Sequence, residues 1–137
     1  MTYKVGQSAT CTKTITESDV QLFAKLSGDF NPIHVNRAVA EKSFFGRQVA
    51  HGLLVGSLLS TVIGTKLPGE GTIFMEEGMK FLKPVFIGDT VTAKILVDEI
   101  INEDKGVIRL LSVVTNQDNE TVIEGFAIVK APGVPAE

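Results

Sequence analysis

Apolar positions recur at helical spacing through the first half of the chain and in alternation through the second. Residues 6–15 are polar and threonine-rich with weak alternation, which predicts a first strand. Thr16-Glu17-Ser18-Asp19 reads as a helix start. Thr16 can cap, and Asp19 takes the place of the usual glutamate of a capping box. Val20, Phe23, Ala24 and Leu26 follow at helical spacing until Gly28 stops the helix. Residues 36–43 predict a second short helix with Asn36 as its cap, and Phe44-Phe45-Gly46 a turn carrying two large apolar groups. His51-Gly52 opens the most apolar helix of the chain. Residues 53–63 are apolar or small on nearly every face, which predicts burial all round. Gly56, Ser57, Ser60 and Gly64 are small enough for another element to approach closely, and Leu67-Pro68-Gly69 ends the helix.

Residues 72–82, 90–101, 107–115 and 121–130 then read as four strands. Turn material separates them: Pro84, Gly88-Asp89, residues 102–106 and residues 116–119. Short loops between successive strands imply antiparallel pairing. A helix apolar on all sides, in a chain with one sheet, is most simply wrapped by that sheet. The expectation is therefore an α+β fold, a curved antiparallel sheet around a long central helix. At 137 residues this is a single domain, 1–137, with residues 132–137 as a frayed tail.

The net charge of −3 argues against nucleic acid or an anionic membrane surface as the main partner. A local basic patch for a phosphorylated ligand stays open. The single cysteine, Cys11, forms no internal disulfide, reads as a passive strand residue and favours a reducing compartment. There is no signal-like N-terminus, and the longest apolar run, residues 52–67, is too short to span a bilayer. A soluble cytoplasmic protein is the expectation.

Ser27-Gly28-Asp29-Phe30-Asn31-Pro32-Ile33-His34 carries the chemistry. Pro32 removes a backbone donor and pushes Asn31 toward extended geometry, which predicts a tight loop and not a regular helix. A carboxylate and an imidazole five positions apart on such a loop can share one water and divide acid and base work. The start of the helix at Gly52 can supply backbone N–H groups to a developing negative charge. Each residue also has a plainer reading. Asp29 can be an Asx-turn or cap, His34 a hydrogen-bonded loop histidine, and Gly52 a helix-start glycine. Asn31 is expected to brace the loop and His51 to pack at the helix start. Glu76 and Glu77 are expected to face solvent or a dimer partner. Arg47, Lys66, Lys80 and Lys83 read as solvated charges, of which one or two can meet phosphates.

Phe23 with residues 26–34 and then Ala50-His51-Gly52 resembles the hydratase-2 motif of MaoC-like, hot-dog-fold proteins. The likeness is strongest to bacterial (R)-specific enoyl-CoA hydratases, and Pro84-Val85-Phe86-Ile87-Gly88-Asp89-Thr90-Val91 matches a strand-turn-strand signature of the same family. The resemblance implies a hot-dog subunit, a homodimer, and reversible syn hydration of trans-2-enoyl-CoA to (3R)-3-hydroxyacyl-CoA. It implies no metal and no organic cofactor, with the coenzyme A thioester as substrate. Roles in the family include supply of polyhydroxyalkanoate precursors. By position, Asp29 and His34 match the catalytic pair and Gly52 the oxyanion-hole glycine. Ser60 and Ile63, one helical turn apart, align with residues that shape the acyl pocket. Three other readings share the fold: an acyl-carrier-protein-linked 3-hydroxyacyl dehydratase, a thioesterase, and a non-catalytic acyl-CoA-binding module. Chain length and carrier are chosen outside the Asp29–His34 pair, so the pair does not separate the first of these from the hydratase.

Overall fold

The first helices of the chain begin on side chains that take up their free N–H groups. A computed structural model describes residues 3–133. Strand β1 (Ser8–Thr14) leads into helix α1 (Glu17–Ser27). The capping box at its start is closed: the Asp19 N–H donates to Thr16 Oγ1 at 3.1 Å and the Thr16 N–H to Asp19 Oδ2 at 2.9 Å. That backbone donor is the main cause that holds the Asp19 carboxyl below its ordinary range. Gly28 ends the helix at φ +82°, a left-handed conformation that a side chain would strain.

The segment after Gly28 is more regular than the expected tight loop. Residues Pro32–Val35 form a single helical turn, α2. The reason lies in the same proline that argued for a loop. At the first position of a helix its missing N–H has no intrahelical partner to lose, and its fixed φ suits the turn. Asn31 is extended at φ −51° and ψ 124°, and its side chain accepts from the Ile33 N–H. Helix α3 (Arg37–Glu41), capped by Asn36, is the expected short helix trimmed at its C-terminal end.

Helix α4 (Gly52–Thr65) then crosses the sheet formed by β1 with β2 (Ile73–Phe81), β3 (Thr90–Asn102), β4 (Val107–Thr115) and β5 (Thr121–Lys130). All pairings are antiparallel, in the order β1-β3-β4-β5-β2. Alternate residues of β3, namely Val91, Ala93, Ile95 and Val97, are fully buried, and α4 packs on β1, β3 and β4. Register shifts in β3, at Val97/Glu99 and Ile100/Asn102, mark bulges, which bend a strand and increase its twist. This is the α+β hot-dog arrangement that the sequence implies.

Burial of α4 is one-sided, which corrects the expectation of burial all round. Val55, Leu59, Val62 and Ile63 are buried, whereas Leu53 is 60% exposed and Ser57, Ser60 and Thr61 also face outward. A single sheet covers only one side of a helix. Ser57 hides its polarity by donating its hydroxyl to the Leu54 carbonyl at 2.6 Å, so a serine here reads as small without being in the core. The shared face expected for Ser60 and Ile63 divides in the same way, with Ser60 exposed and Ile63 fully buried in the core.

Strand β2 is an edge with Ile73, Phe74 and Met75 exposed. A register shift between Phe74 and Glu76 breaks its alternation. Both Glu76 and Glu77 are exposed in the single chain. The expected tail lies outside the described residues from 134 onward. Ala131, just before it, is buried and donates its N–H to the Gly106 carbonyl at 2.8 Å.

Glu77 is exposed as a residue, yet the partial desolvation its carboxyl meets on β2 pushes it up from 4.5 to about 7. The folded chain therefore holds this proton more tightly than the unfolded one. Its stability contribution is lost as pH rises from about 4.5 to about 7 and is flat above that. Glu77→Gln is expected to be more stable than the wild type at pH 8, with the difference shrinking below pH 5. Urea unfolding at the two pH values checks this, and equal differences at both would contradict the assignment.

Candidate active site

The Asp29 turn, α2 and the start of α4 meet because backbone groups hold them together. The His34 ring donates from Nδ1–H to the Val49 carbonyl at 2.7 Å, and the Gln48 amide donates to the His34 carbonyl at 2.8 Å. The segment before α4 is anchored in turn by the Ala50 N–H, which donates to the Val85 carbonyl at 2.7 Å. A carbonyl only accepts, so His34 carries its proton on Nδ1 and leaves Nε2 for chemistry. His34 is 8% exposed. Asp29, by contrast, is exposed. Its backbone N–H donates to Ser27 Oγ at 3.1 Å, and its Oδ1 accepts from the Asn31 N–H at 3.1 Å. Asp29 thus makes the Asx-turn bond of its plainer reading and still keeps carboxylate lone pairs to spare.

An Asp29 carboxylate oxygen and one nitrogen from each of His34 and His51 lie within 4.8 Å of one another. A hydrogen bond spans about 2.8 Å, so a single water can reach both members of an Asp29–His34 pair at that separation. Three such groups invite the thought of a metal. The two imidazoles, however, are stacked at 4.0 Å between centroids with 28° between their planes. Ring lone pairs lie in the ring plane, so an ion in line with one ring would sit off the other. The arrangement suits hydrogen bonding to one small molecule better than ligation.

Gly52 is the first residue of α4, and its N-cap, His51, places no side chain on the free N–H groups. Those groups and the positive end of the helix dipole are therefore available to an anion. A Cβ at Gly52 would stand 2.8 Å from the Phe81 ring. Glycine is needed here for room, since its φ is not in the left-handed region. A cavity of about 620 Å³ opens beside these groups. Asp29, His34 and Gly52 line it together with an apolar wall that includes Phe23, Phe45, Phe81 and Ile123.

The structure thus brings Asp29, His34 and Gly52 together, with Asn31 beside them in the turn. Ser60 and Ile63 are not among the residues that line the cavity of the single chain. Of the four candidate cations, only Lys83 lines it, and that residue is ion-paired to Glu120. The Arg47 guanidinium lies 3.8 Å over the Phe86 ring, and Lys66 donates to the Thr10 carbonyl at 2.6 Å. Cys11 is part-buried in β1, where burial pushes its thiol up and its Sγ lies 3.6 Å from the Leu58 carbonyl. No helix among the described residues is long and apolar enough to cross a membrane. Sequence reasoning missed the Val49 carbonyl and Phe81. The first has no signal in residue identity, and the second reads only as an alternating strand position.

A carboxylate–imidazole pair at a helix N-terminus, in a helix held by a hot-dog sheet, defines the class of protein. The MaoC-like domain pattern matches residues 3–120, and the chain belongs to that family. It is 47% identical to the (R)-specific enoyl-CoA hydratase of Rhodospirillum rubrum over 94% of its own length and 88% of that protein. It is 40% identical to the (R)-specific enoyl-CoA hydratase of Aeromonas caviae over 94% of the chain and 96% of the relative. The solved (R)-hydratase from A. caviae, described as involved in PHA biosynthesis, superposes with a TM-score of 0.92 at 39% identity. That match covers 96% of this chain and 98% of the other.

Gly52→Ala is expected to displace the Phe81 ring and leave the fold intact, at about 1–3 kcal/mol for the overpacked contact. Thermal unfolding and the aromatic NMR signals of Phe81 check this. A Phe81 environment identical to wild type would rule out the close contact.

Proposed function

We infer that the protein catalyses the reversible hydration of trans-2-enoyl-CoA to (3R)-3-hydroxyacyl-CoA. The observation that carries this reading is the approach of the Asp29 carboxylate and the His34 imidazole beside the start of α4, on a cavity lined largely by apolar side chains. Water attacking Cβ of the enoyl thioester drives charge onto the thioester oxygen as an enolate. The Gly52 N–H, at the positive end of α4, is suited to hold that oxygen. Loss of one such donor costs about 3 kcal/mol of transition-state stabilisation in comparable sites. Asp29 accepts a proton from the water, and His34 holds the same water through Nε2. A proton returned by the pair to Cα completes the addition. Delivery of oxygen and hydrogen from one side gives the syn outcome. No metal or organic cofactor is needed for these steps.

The acyl chain is assigned to the apolar wall of the cavity. Ile63 belongs to the same core cluster as Val55 and Ile123 and acts on chain length through their packing. Ser60, on the open face of α4, reaches an acyl chain only where a second copy completes the pocket.

A homodimer is the assembly that the surface of β2 supports. Among the described residues β2 pairs only with β5, which leaves its other edge free, and Ile73, Phe74 and Met75 are exposed along it. A free apolar edge is a template for pairing, and a second copy satisfies it with closed symmetry. Sedimentation at micromolar concentration is expected to give twice the 14.7 kDa chain mass. A monomer there would overturn the assembly.

Asp29→Asn and His34→Gln are each expected to lower turnover by about 10²–10⁴-fold with the fold retained. The double variant should fall well short of the product, because the two groups serve one water. The assay is loss of crotonyl-CoA absorbance with chirality of the product determined. Retention of more than about a tenth of wild-type turnover in both single variants would contradict the pair. Release of free thiol in place of hydration would indicate a thioesterase.

A further inference from the structure

The His51 side chain touches both members of the proposed acid–base pair. Its ring is 2% exposed, stacked on His34 at 4.0 Å and backed by Phe23 at 4.8 Å with a 52° tilt. Its Nε2 lies 2.9 Å from the backbone carbonyl of Asp29, while its Nδ1 is buried with no hydrogen-bond partner. Its own backbone runs directly into Gly52 as the N-cap of α4.

These contacts give the two histidines opposite tautomers. His34 faces a carbonyl through Nδ1 and His51 faces one through Nε2. A carbonyl accepts and never donates, so His34 is Nδ1–H and His51 is Nε2–H. The bare Nδ1 of His51 is sealed without a donor, and desolvating such an atom is costly. Packing alone would favour phenylalanine at a site flanked by two rings. The hydrogen bond that phenylalanine lacks goes to the backbone of Asp29, whose side chain is otherwise exposed and held by local turn bonds.

We propose that His51 is a positioning residue, resting on the hydratase reading. From its Nε2–H tautomer it tethers the Asp29 backbone, and its ring fixes the plane of His34, so that the two reach one water together. A misplacement of about 1 Å at a reacting group can cost about 10²-fold in rate.

Two substitutions separate tether from packing. His51→Phe keeps a flat ring and loses the donor. His51→Gln loses the ring, and its amide nitrogen stands the same number of bonds from Cα as Nε2. In crotonyl-CoA hydration, His51→Phe is expected to lower kcat by about 10²-fold with KM changed less than about threefold. His51→Gln is expected to recover about tenfold of that loss. Long-range proton–nitrogen NMR of the wild type is expected to show Nε2–H on His51 and Nδ1–H on His34. His51→Phe retaining more than about a third of wild-type kcat sinks the role, and so does a loss that falls on KM or a glutamine variant no better than phenylalanine. Should His51→Phe unfold below the assay temperature, the tautomers decide, and Nδ1–H on His51 overturns the proposal. A wild-type protein without hydration activity overturns the hydratase reading and this role with it. An active wild type with an active His51→Phe overturns only the role.

Discussion

The apolar seam between α4 and the sheet holds the start of that helix at the mouth of the cavity, and the remaining features of the site are arranged around it. Val55, Leu59, Val62 and Ile63 are exposed by 2% or less. Each such side chain contributes about 1.5–3 kcal/mol relative to exposure, so the helix has a strongly preferred side. The Ala50 N–H then pins the entry to α4 on the Val85 carbonyl, and the Val49 carbonyl pins His34 to that entry. The helix dipole, the uncapped N–H groups at Gly52 and the His34 imidazole consequently form one unit. Only Asp29 comes from a turn that must be brought to it.

Local rules made much of this fold legible. The Thr16–Asp19 box, the Gly28 stop, the Asn36 cap and all four later strands within one residue of their ends follow from capping and alternation. The Asp29–His34 spacing pointed to a shared volume, and the two side chains do share one. Context decided what was not legible. Pro32 reads as a breaker until its place at the first turn of α2 is known. The small residues of α4 read as core, yet whether Ser57 and Ser60 are covered depends on how many layers the chain supplies. Phe81 at the site is a product of tertiary packing, since it stands on a strand far along the chain from the helix it meets.

The open face of α4 and the free edge of β2 are two sides of one economy. One sheet of five strands suffices to bury one face of one helix. The rest of the apolar surface, from Leu53 to Phe74, is left outside. The same incompleteness leaves room for the cavity, because a helix covered on every side could present neither its first N–H groups nor an opening beside them. A chain of this size thus gains an accessible helix end by leaving part of its interior unclosed.

Two of the groups that orient the His34 imidazole and its stacked neighbour His51 are main-chain carbonyls, those of Val49 and Asp29. A carbonyl is present whatever side chain its residue bears. Position 49 can therefore drift among buried apolar residues through evolutionary time without disturbing the proton on His34. The histidines themselves enjoy no such freedom. The substitution pattern around the site is expected to look lopsided for this reason: rigid at the rings and permissive at the residues that set which ring nitrogen holds its hydrogen.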